Sequence, residues 1–313
     1  MKEHSSDTVT IGEPLPLLTP PSGVWWGLLG VVAFSFTVPL TRIAVTEGAT
    51  GGGLDPLFVG AGRAVVAGFL AGSALLLARQ RLPQGRQWLR LGIVALGIVL
   101  GFPVLTSLAL TTATANHGAV VIAVLPAATA VVAVVRTGER PGPLFWTATS
   151  GGAAAAVAFA SVHGGVGSLH WTDLLFFAAV VTAAFGYAEG GLLARELGAW
   201  QTISWALVAA LPVTILLTAL SLDGQVPQAS PAQWASFGYL AVVSMFLGFF
   251  AWYRGLAIGP IAQVSQIQLT QPVMTLIWAT VLLGERITLT TMVGGLAVVL
   301  CAAAAVRVRL RSG

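Results

Sequence analysis

The sequence predicts an all-α integral membrane protein, and three observations point to that fold class. Hydrophobic residues make up 56% of the 313 residues and charged residues only 8%, whereas about 25% of the residues in an average soluble domain are charged. Apolar runs of roughly 20 residues, enough for a helix to cross a bilayer, follow one another between short polar breaks. The runs are continuous and lack the period-two alternation of a membrane β-strand, so we expect helices.

Ten such runs predict ten transmembrane helices. In chain order, the predicted spans cover residues 24–46, 56–79, 89–112, 115–136, 143–162, 171–194, 201–221, 233–257, 261–283 and 288–308. Residues 1–23 contain several prolines and no apolar core. We therefore expect a disordered tail there, on the cytoplasmic side.

The distribution of basic residues predicts how the chain is oriented, because Lys and Arg near membrane spans are retained in the cytoplasm. With the N-terminus inside, most of the 15 Lys and Arg residues fall on inner segments, and only Arg286 lies in an outer loop. Both termini are therefore expected to be cytoplasmic. Abundant Ala and Gly, with Arg far in excess of Lys, are typical of a bacterial chain, which would lie in the cytoplasmic (inner) membrane.

A stretch of the first half of the chain recurs in the second half at an offset of 146 residues. Residues 117–140 and 263–286 are identical at seven of 24 aligned positions. The identities include Pro126 with Pro272 and the tripeptide Gly-Glu-Arg that ends both stretches. Shared glutamates are informative because the whole chain has only seven, although chance similarity between two apolar stretches is the alternative.

Five spans in each half is an odd number, so the second half must enter the membrane from the opposite side. The sequence therefore predicts two inverted five-helix repeats, residues 24–162 and 171–308. Inverted repeats are typical of secondary transporters, in which the substrate site lies near the middle of the membrane between the halves.

With these features the chain resembles the ten-span, EamA-type members of the drug/metabolite transporter superfamily. The resemblance covers residues 24–308 and rests on the segments Thr-Gly-Glu-Arg and Leu-Gly-Glu-Arg, on a Pro thirteen residues before each Glu, and on Arg42 and Arg63. The first span of such proteins often carries a Trp where this chain has Phe34 or Phe36. The resemblance implies two inverted repeats around a central cavity, and export of metabolites, amino acids or drugs by alternating access.

Three residues inside the spans are candidates for substrate binding. Arg63 lies roughly 10 Å from the outer end of its span, where a charge facing lipid would cost about 2.5–3.5 kcal/mol. It either binds an anionic group of the substrate as a bidentate fork or is paired structurally. Pro126 and Pro272 each free a backbone carbonyl, and corresponding interruptions in two halves mark a transport site, unless they are kinks that neighbouring helices satisfy.

The ninth predicted span is unusually polar. Its polar residues are Gln263, Ser265, Gln266, Gln268, Thr270, Gln271 and Thr275. Gln263, Gln266 and Thr270 share one helical face, and we expect substrate contacts from it; the alternative is that these side chains hold helices together. Because the fourth span is far more apolar, we expect an asymmetric site.

Five further residues are candidates for proton coupling or for structure. His117 and Glu189 are candidate proton carriers. The alternative for His117 is a hydrogen-bonded structural role, and the alternative for Glu189 is a pair with Arg254 that forms an inner gate or simply neutralises both charges. Glu139 and Glu285 end their spans, where the helix dipole disfavours a carboxylate. We therefore expect each glutamate to bind backbone amides of the next span or an arginine, as structural groups.

The function predicted from the sequence is that of a secondary transporter that exports a small metabolite, amino acid or drug-like solute. An importer of the same fold, or a non-transporting scaffold or receptor, remains the alternative. Phosphate-binding loops and hydrolase motifs are absent from the sequence, so we expect neither an enzyme nor a cofactor. The expected partners are a small-molecule substrate and the lipid bilayer, but not nucleic acid, since the basic residues are scattered. The oligomeric state stays open, a homodimer included.

Overall fold

The structure is a computed structural model that describes residues 22–46, 52–138, 142–163, 170–222, 224, 227–258 and 267–312. Within these residues the regular secondary structure is helical, without strands. The helical stretches are α1 (Gly23–Val45), α2 (Phe58–Leu77), α3 (Arg86–Ala109), α4 (Ala115–Arg136), α5 (Pro143–His163), α6 (Trp171–Leu197), α7 (Ala199–Leu220), α8 (Pro231–Gly255), α9 (Gln268–Leu283) and α10 (Leu289–Ser312).

Seven of these stretches, α1–α4 and α6–α8, are long and apolar enough to cross a membrane, and α9 is a shorter apolar helix. Large apolar side chains cover the outside: Leu77 is 87% exposed and Val135 is 72% exposed. An outer surface built from such residues suits lipid and not water. The prediction of a helical, multi-pass membrane protein is therefore confirmed.

Where the structure describes both ends of a span, the predicted limits lie within a few residues of the helix ends, whereas the predicted start of the ninth span, residue 261, lies outside the described residues. The predicted span 143–162, for example, corresponds to Pro143–His163. The third predicted span was placed three residues late at both ends, because α3 begins directly after Gly85, whose φ is +49°, and closes where Arg42 binds the carbonyl oxygens of Leu110 and Thr111. Most of the predicted tail, residues 1–23, lies outside the described residues.

Helices of the first half pack against helices of the second half. α1 packs on α8, α2 on α7, α3 on α6, α4 on both α6 and α9, and α5 on α10. Glycines permit the closest of these approaches: a Cβ on Gly97 of α3 would meet the backbone of Gly186 of α6, and one on Gly255 of α8 would meet that of Gly27 of α1. Small residues at such crossings are the usual means of packing helices in lipid.

Both halves contain a π-helical segment at the same place. In α3 it covers Ala95–Gly101, and in α8 it covers Leu240–Leu247, so the two segments end 146 residues apart. Such wide turns are rare and occur frequently at functional sites.

The other helix irregularities also correspond. α4 is interrupted at residues 123–124, directly before the turn that carries Pro126, and α9 opens with a 3-10 turn, Gln268–Thr270, directly before the turn that carries Pro272. After both helices the chain turns through a glycine with positive φ, +73° at Gly138 and +66° at Gly284. Only glycine adopts that conformation without strain.

Candidate functional site

A cavity enclosed by α1, α2, α3, α4, α6, α8 and α9 lies around the side chain of Arg63. The residues that line it are Phe34, Thr37, Val38, Arg63, Ile98, Phe102, Pro103, Leu125, Ala183, Tyr187, Ser244, Met245, Phe249 and Gln271. Its free volume is about 30 Å³, which leaves room for about one or two water molecules. The conformation is therefore closed around this site.

The lining is built from corresponding positions in the two halves. Four pairs of lining residues are 146 positions apart, namely Thr37 and Ala183, Ile98 and Ser244, Pro103 and Phe249, and Leu125 and Gln271. Within each pair the residue types differ, and the position corresponding to Arg63 is occupied by Ala209. Eight of the 14 lining residues therefore occupy corresponding positions, but their chemistry differs.

Arg63 is the charged residue of this cavity. Its side chain is buried, and within the described residues its Nε and Nη2 atoms have no hydrogen-bond partner. It directly follows the π-helical segment Phe58–Gly62, a feature frequent at functional sites. Removing a guanidinium from water without a counter-charge costs several kcal/mol, so this site favours the binding of an anion.

The remaining lining is aromatic, apolar or neutral polar. The rings of Phe34 and Phe249 lie 4.7 Å apart, and Tyr187 stacks on Phe249 at 5.9 Å. The hydroxyl groups of Thr37 and Ser244 form a hydrogen bond of 2.8 Å that joins α1 to α8. Neither Asp nor Glu is among the described residues that line the cavity.

The polar residues of the ninth span have several different roles. Gln271 lines the cavity, whereas the Thr275 hydroxyl donates to the Ser35 carbonyl oxygen at 3.0 Å and so binds α9 to α1. Thr270 does not line the cavity in this conformation: its exposed side chain donates to the carbonyl oxygen of Ile267 at 2.7 Å. The predicted contacts of Gln263 and Gln266 lie outside the described residues.

The two prolines mark the cavity without lining it. Leu125 and Gln271, the residues directly before Pro126 and Pro272, are the ones that face it. Proline disfavours helical backbone at the residue before it, and Leu125 and Gln271 are accordingly the first residues of the helical segments that begin anew at these places. The sequence therefore contained the signal for these two lining residues, one position before each proline.

One contact between α4 and α6 consists of His117 and Asp173 and is here named the outer contact, after the side of the membrane that the sequence predicts for it. The distance from His117 Nε2 to Asp173 Oδ1 is 2.6 Å, and both side chains are buried. Asp173 Oδ2 also accepts a hydrogen bond from the backbone N–H of His170, and the His117 ring stacks on Phe159. An open depression of about 380 Å³ borders the pair. No motif in the sequence singles out Asp173, which is followed by a run of apolar residues.

Glu285 binds the start of α4. Its two carboxylate oxygens accept hydrogen bonds of 2.8 Å from the backbone N–H groups of Ala115 and Asn116, where a helix start favours negative charge. The sequence predicted such amides on the next span, whereas they belong to a helix of the other half. The corresponding Glu139 lies outside the described residues.

At the other end of α6, the buried carboxylate of Glu189 bridges two helices, an arrangement here named the inner contact. Oε2 accepts a hydrogen bond of 2.9 Å from Arg90 Nε of α3, and Oε1 accepts one from Arg136 Nε of α4. The predicted pairing with Arg254 is wrong, because Arg254 is exposed and lies over the ring of Trp26, 5.2 Å away. Glu189 faces α3 and α4, whereas Arg254 faces α1.

Comparison with known proteins identifies the family. The EamA-like transporter family matches this chain twice, over residues 21–161 and again over residues 170–307. The chain belongs to the EamA-like transporter family. The resemblance inferred from the sequence is thereby confirmed, and the chain is a membrane transporter.

One curated relative supports the assignment of this EamA-like chain, and one solved structure shares its fold. "Uncharacterized transporter YdeK" of Bacillus subtilis (strain 168) is 43% identical over 289 residues, which cover 90% of this chain and 96% of the relative. A solved structure described only as "Crystal structure of protein" superposes with a TM-score of 0.63 at 17% identity, over 92% of this chain and 99% of that chain. The second likeness concerns the fold alone.

Proposed function

We propose that this EamA-like protein is a secondary transporter that exports a small metabolite, amino acid or drug-like solute across the bacterial cytoplasmic membrane by alternating access. The observation that carries the proposal is the cavity around Arg63, whose walls come from corresponding positions of both halves. A site on a two-fold axis between similar halves opens to either side when the halves exchange conformations.

In this proposal α1–α5 and α6–α10 form two inverted repeats, residues 24–162 and 171–308, and all ten stretches cross the membrane. Support comes from the two separate family matches, from the corresponding π-helical segments and from the corresponding glycine turns. An even number of crossings keeps both termini on one side, and the basic residues favour the cytoplasm.

The closed cavity fits an occluded state of this cycle. Above and below it, α4 and α6 are joined by the outer contact of His117 with Asp173 and by the inner contact of Glu189 with Arg90 and Arg136. Opening to one side requires the contact at that end to break. We assign Glu189 to the inner contact, since both of its carboxylate oxygens accept hydrogen bonds from arginines.

We further propose that the outer contact carries the coupling proton. Histidine changes its charge near neutral pH, and the depression beside His117 gives access to water. Four charged or titratable groups surround His117 in the described residues. Asp173 and His170 lie at the start of α6, Glu285 follows α9 and binds the start of α4, and Arg42 lies near Glu285.

Transport by the purified protein tests the proposed function. In liposomes, the protein should exchange labelled solute from a panel of organic anions, amino acids and cationic drugs. Arg63→Ala should reduce exchange at least tenfold, because the buried cation is the only charged group that lines the described cavity. Arg254→Ala is the matched control and should keep wild-type exchange, since Arg254 lies outside the cavity. The absence of exchange for the whole panel, with folded protein, would contradict the proposal.

A test of proton coupling uses the same liposomes. An imposed pH gradient should drive accumulation by the wild type, and His117→Gln should abolish accumulation while leaving exchange intact. Gradient-driven accumulation by His117→Gln equal to that of the wild type would assign coupling to another group.

A further inference from the structure

We infer that the substrate is a monoanion with an apolar body, such as a branched or aromatic monocarboxylate, and that a zwitterionic amino acid or a cation is a poor substrate. The inference rests on the proposed function and concerns the cavity around Arg63. It follows from the charges that the cavity offers and from those that it lacks.

The cavity offers one positive charge without a counter-charge. Nε and Nη2 of Arg63 have no hydrogen-bond partner within the described residues, and none of the ion pairs among those residues includes Arg63. A carboxylate can accept from two guanidinium N–H groups at once. An incoming anion therefore removes the unpaired charge, whereas a neutral solute leaves it and a cation adds repulsion at low dielectric constant.

The cavity lacks a partner for an ammonium group. Its described lining contains no carboxylate, and its neutral acceptors are Tyr187, Gln271 and the hydroxyl groups of Thr37 and Ser244. Those two hydroxyls are already bonded to each other at 2.8 Å. A zwitterion would satisfy Arg63 but would bury its ammonium group without a counter-ion, which is costly. The corresponding acid without the amino group avoids that cost.

The apolar lining residues suit an apolar body. Phe34 and Phe249 lie in ring contact at 4.7 Å, and Phe102 and Met245 also line the cavity. Aromatic and thioether side chains adapt to branched or planar apolar groups. A second anionic group on the substrate would find no second cation in the described lining, which favours a monoanion over a dianion.

Three compounds with the same isobutyl group test the inference: isocaproate, leucine and isoamylamine carry, respectively, an anion, a zwitterion and a cation. Binding is measured in detergent as the shift in the thermal unfolding midpoint, and exchange is measured in liposomes, with empty liposomes correcting for passive leak. Isocaproate should bind and exchange at least tenfold better than leucine, and isoamylamine should do neither.

Variants of the cavity link this preference to Arg63. Arg63→Ala should lose the thermal shift with isocaproate, and Arg63→Lys should restore part of it, since a lysine returns the charge without the bidentate fork. Arg254→Ala should behave as the wild type. If Arg63→Ala does not fold, Arg63→Lys tests the role of Arg63 instead. Its thermal shift with isocaproate should be several-fold smaller than that of the wild type, and an equal shift would contradict the role of Arg63.

The outcomes separate the substrate class from the proposed function. Exchange of leucine or isoamylamine equal to that of isocaproate would overturn the substrate class and leave the transport function standing. Binding of isocaproate that depends on Arg63, without exchange, would uphold the anion site and overturn transport. If isocaproate neither binds nor exchanges, the inference is overturned.

Discussion

The outer and inner contacts join the same two helices, α4 and α6, with different chemistry. At the outer contact a histidine meets an aspartate, whereas at the inner contact one carboxylate is bound by two arginines. Arginine keeps its charge at every physiological pH, but histidine gains or loses its charge within that range. From this difference we expect pH to change the strength of one end of this helix pair while the other end stays constant.

The largest effect is expected from breaking the inner contact. Glu189→Gln removes the charge that Arg90 and Arg136 share, and should lower the free energy of unfolding by about 2–3 kcal/mol, because hydrogen bonds to charged groups contribute about 1.5–3 kcal/mol each. Denaturation in detergent micelles measures the loss. The matched control is Glu196→Gln, which removes only the partly exposed pair with Arg90 and should cost at most about 1 kcal/mol. Equal losses in the two variants would contradict a specific inner contact.

A pH titration of the outer contact should have an intermediate effect. Cys301 is the only cysteine, so an Ala113→Cys reporter in the outer depression can be labelled alone in a Cys301→Ala background. Relative to an Asp173→Asn reporter at the same pH, labelling should rise roughly threefold between about pH 5 and pH 8, because a charge-assisted hydrogen bond is about twice as strong as a neutral one. The ratio removes the rise in reactive thiolate with pH.

The control for this titration removes the partner of the histidine. Asp173→Asn in the reporter protein abolishes the pH-dependent part of the contact and leaves only the intrinsic reactivity of the thiol. Identical pH profiles with and without Asp173 would show that the outer contact does not respond to pH.

The smallest effect is expected at the start of α4, beside the outer contact. Glu285→Gln removes the charged acceptor of two backbone amides and should cost about 1 kcal/mol. Amide hydrogen exchange at residues 115 and 116 should become faster. Asp55→Asn is the control, since Asp55 accepts from the amides of Leu57 and Phe58 and its loss should affect α2 alone. Unchanged exchange at 115 and 116 would contradict the role of Glu285.

The helical fold was predictable because the length and continuity of apolar runs are local properties. The predicted span 143–162 and the helix Pro143–His163 illustrate this. The partner of Glu189 was not predictable, because the choice among Arg90, Arg136 and Arg254 depends on the direction in which α6 faces. The sequence does not show which neighbouring helix packs against the face of α6 that carries Glu189.

The cavity was partly predictable. Arg63 was singled out by its depth in a span, and the two prolines located the level of the site. The offset of 146 residues found in the fourth and ninth spans, applied to every span, would also have pointed to pairs such as Ile98 and Ser244. Asp173 could not be found, since its partner His117 lies 56 residues away and no periodicity relates the two.

The wide turns of α3 and α8 have a consequence for comparing and engineering proteins of this family. A π-helical segment holds one residue more than the same turn of α-helix, and each residue rotates the following helix by about 100°. Deleting one residue within Leu240–Leu247 would therefore remove the extra residue of the wide turn and leave Phe249 facing the cavity. The same deletion in the regular helix that follows, Gly248–Ile258, would rotate every later residue of α8 by about 100°. A gap in a sequence alignment therefore belongs inside the wide turn, where it keeps the residues of the cavity wall aligned.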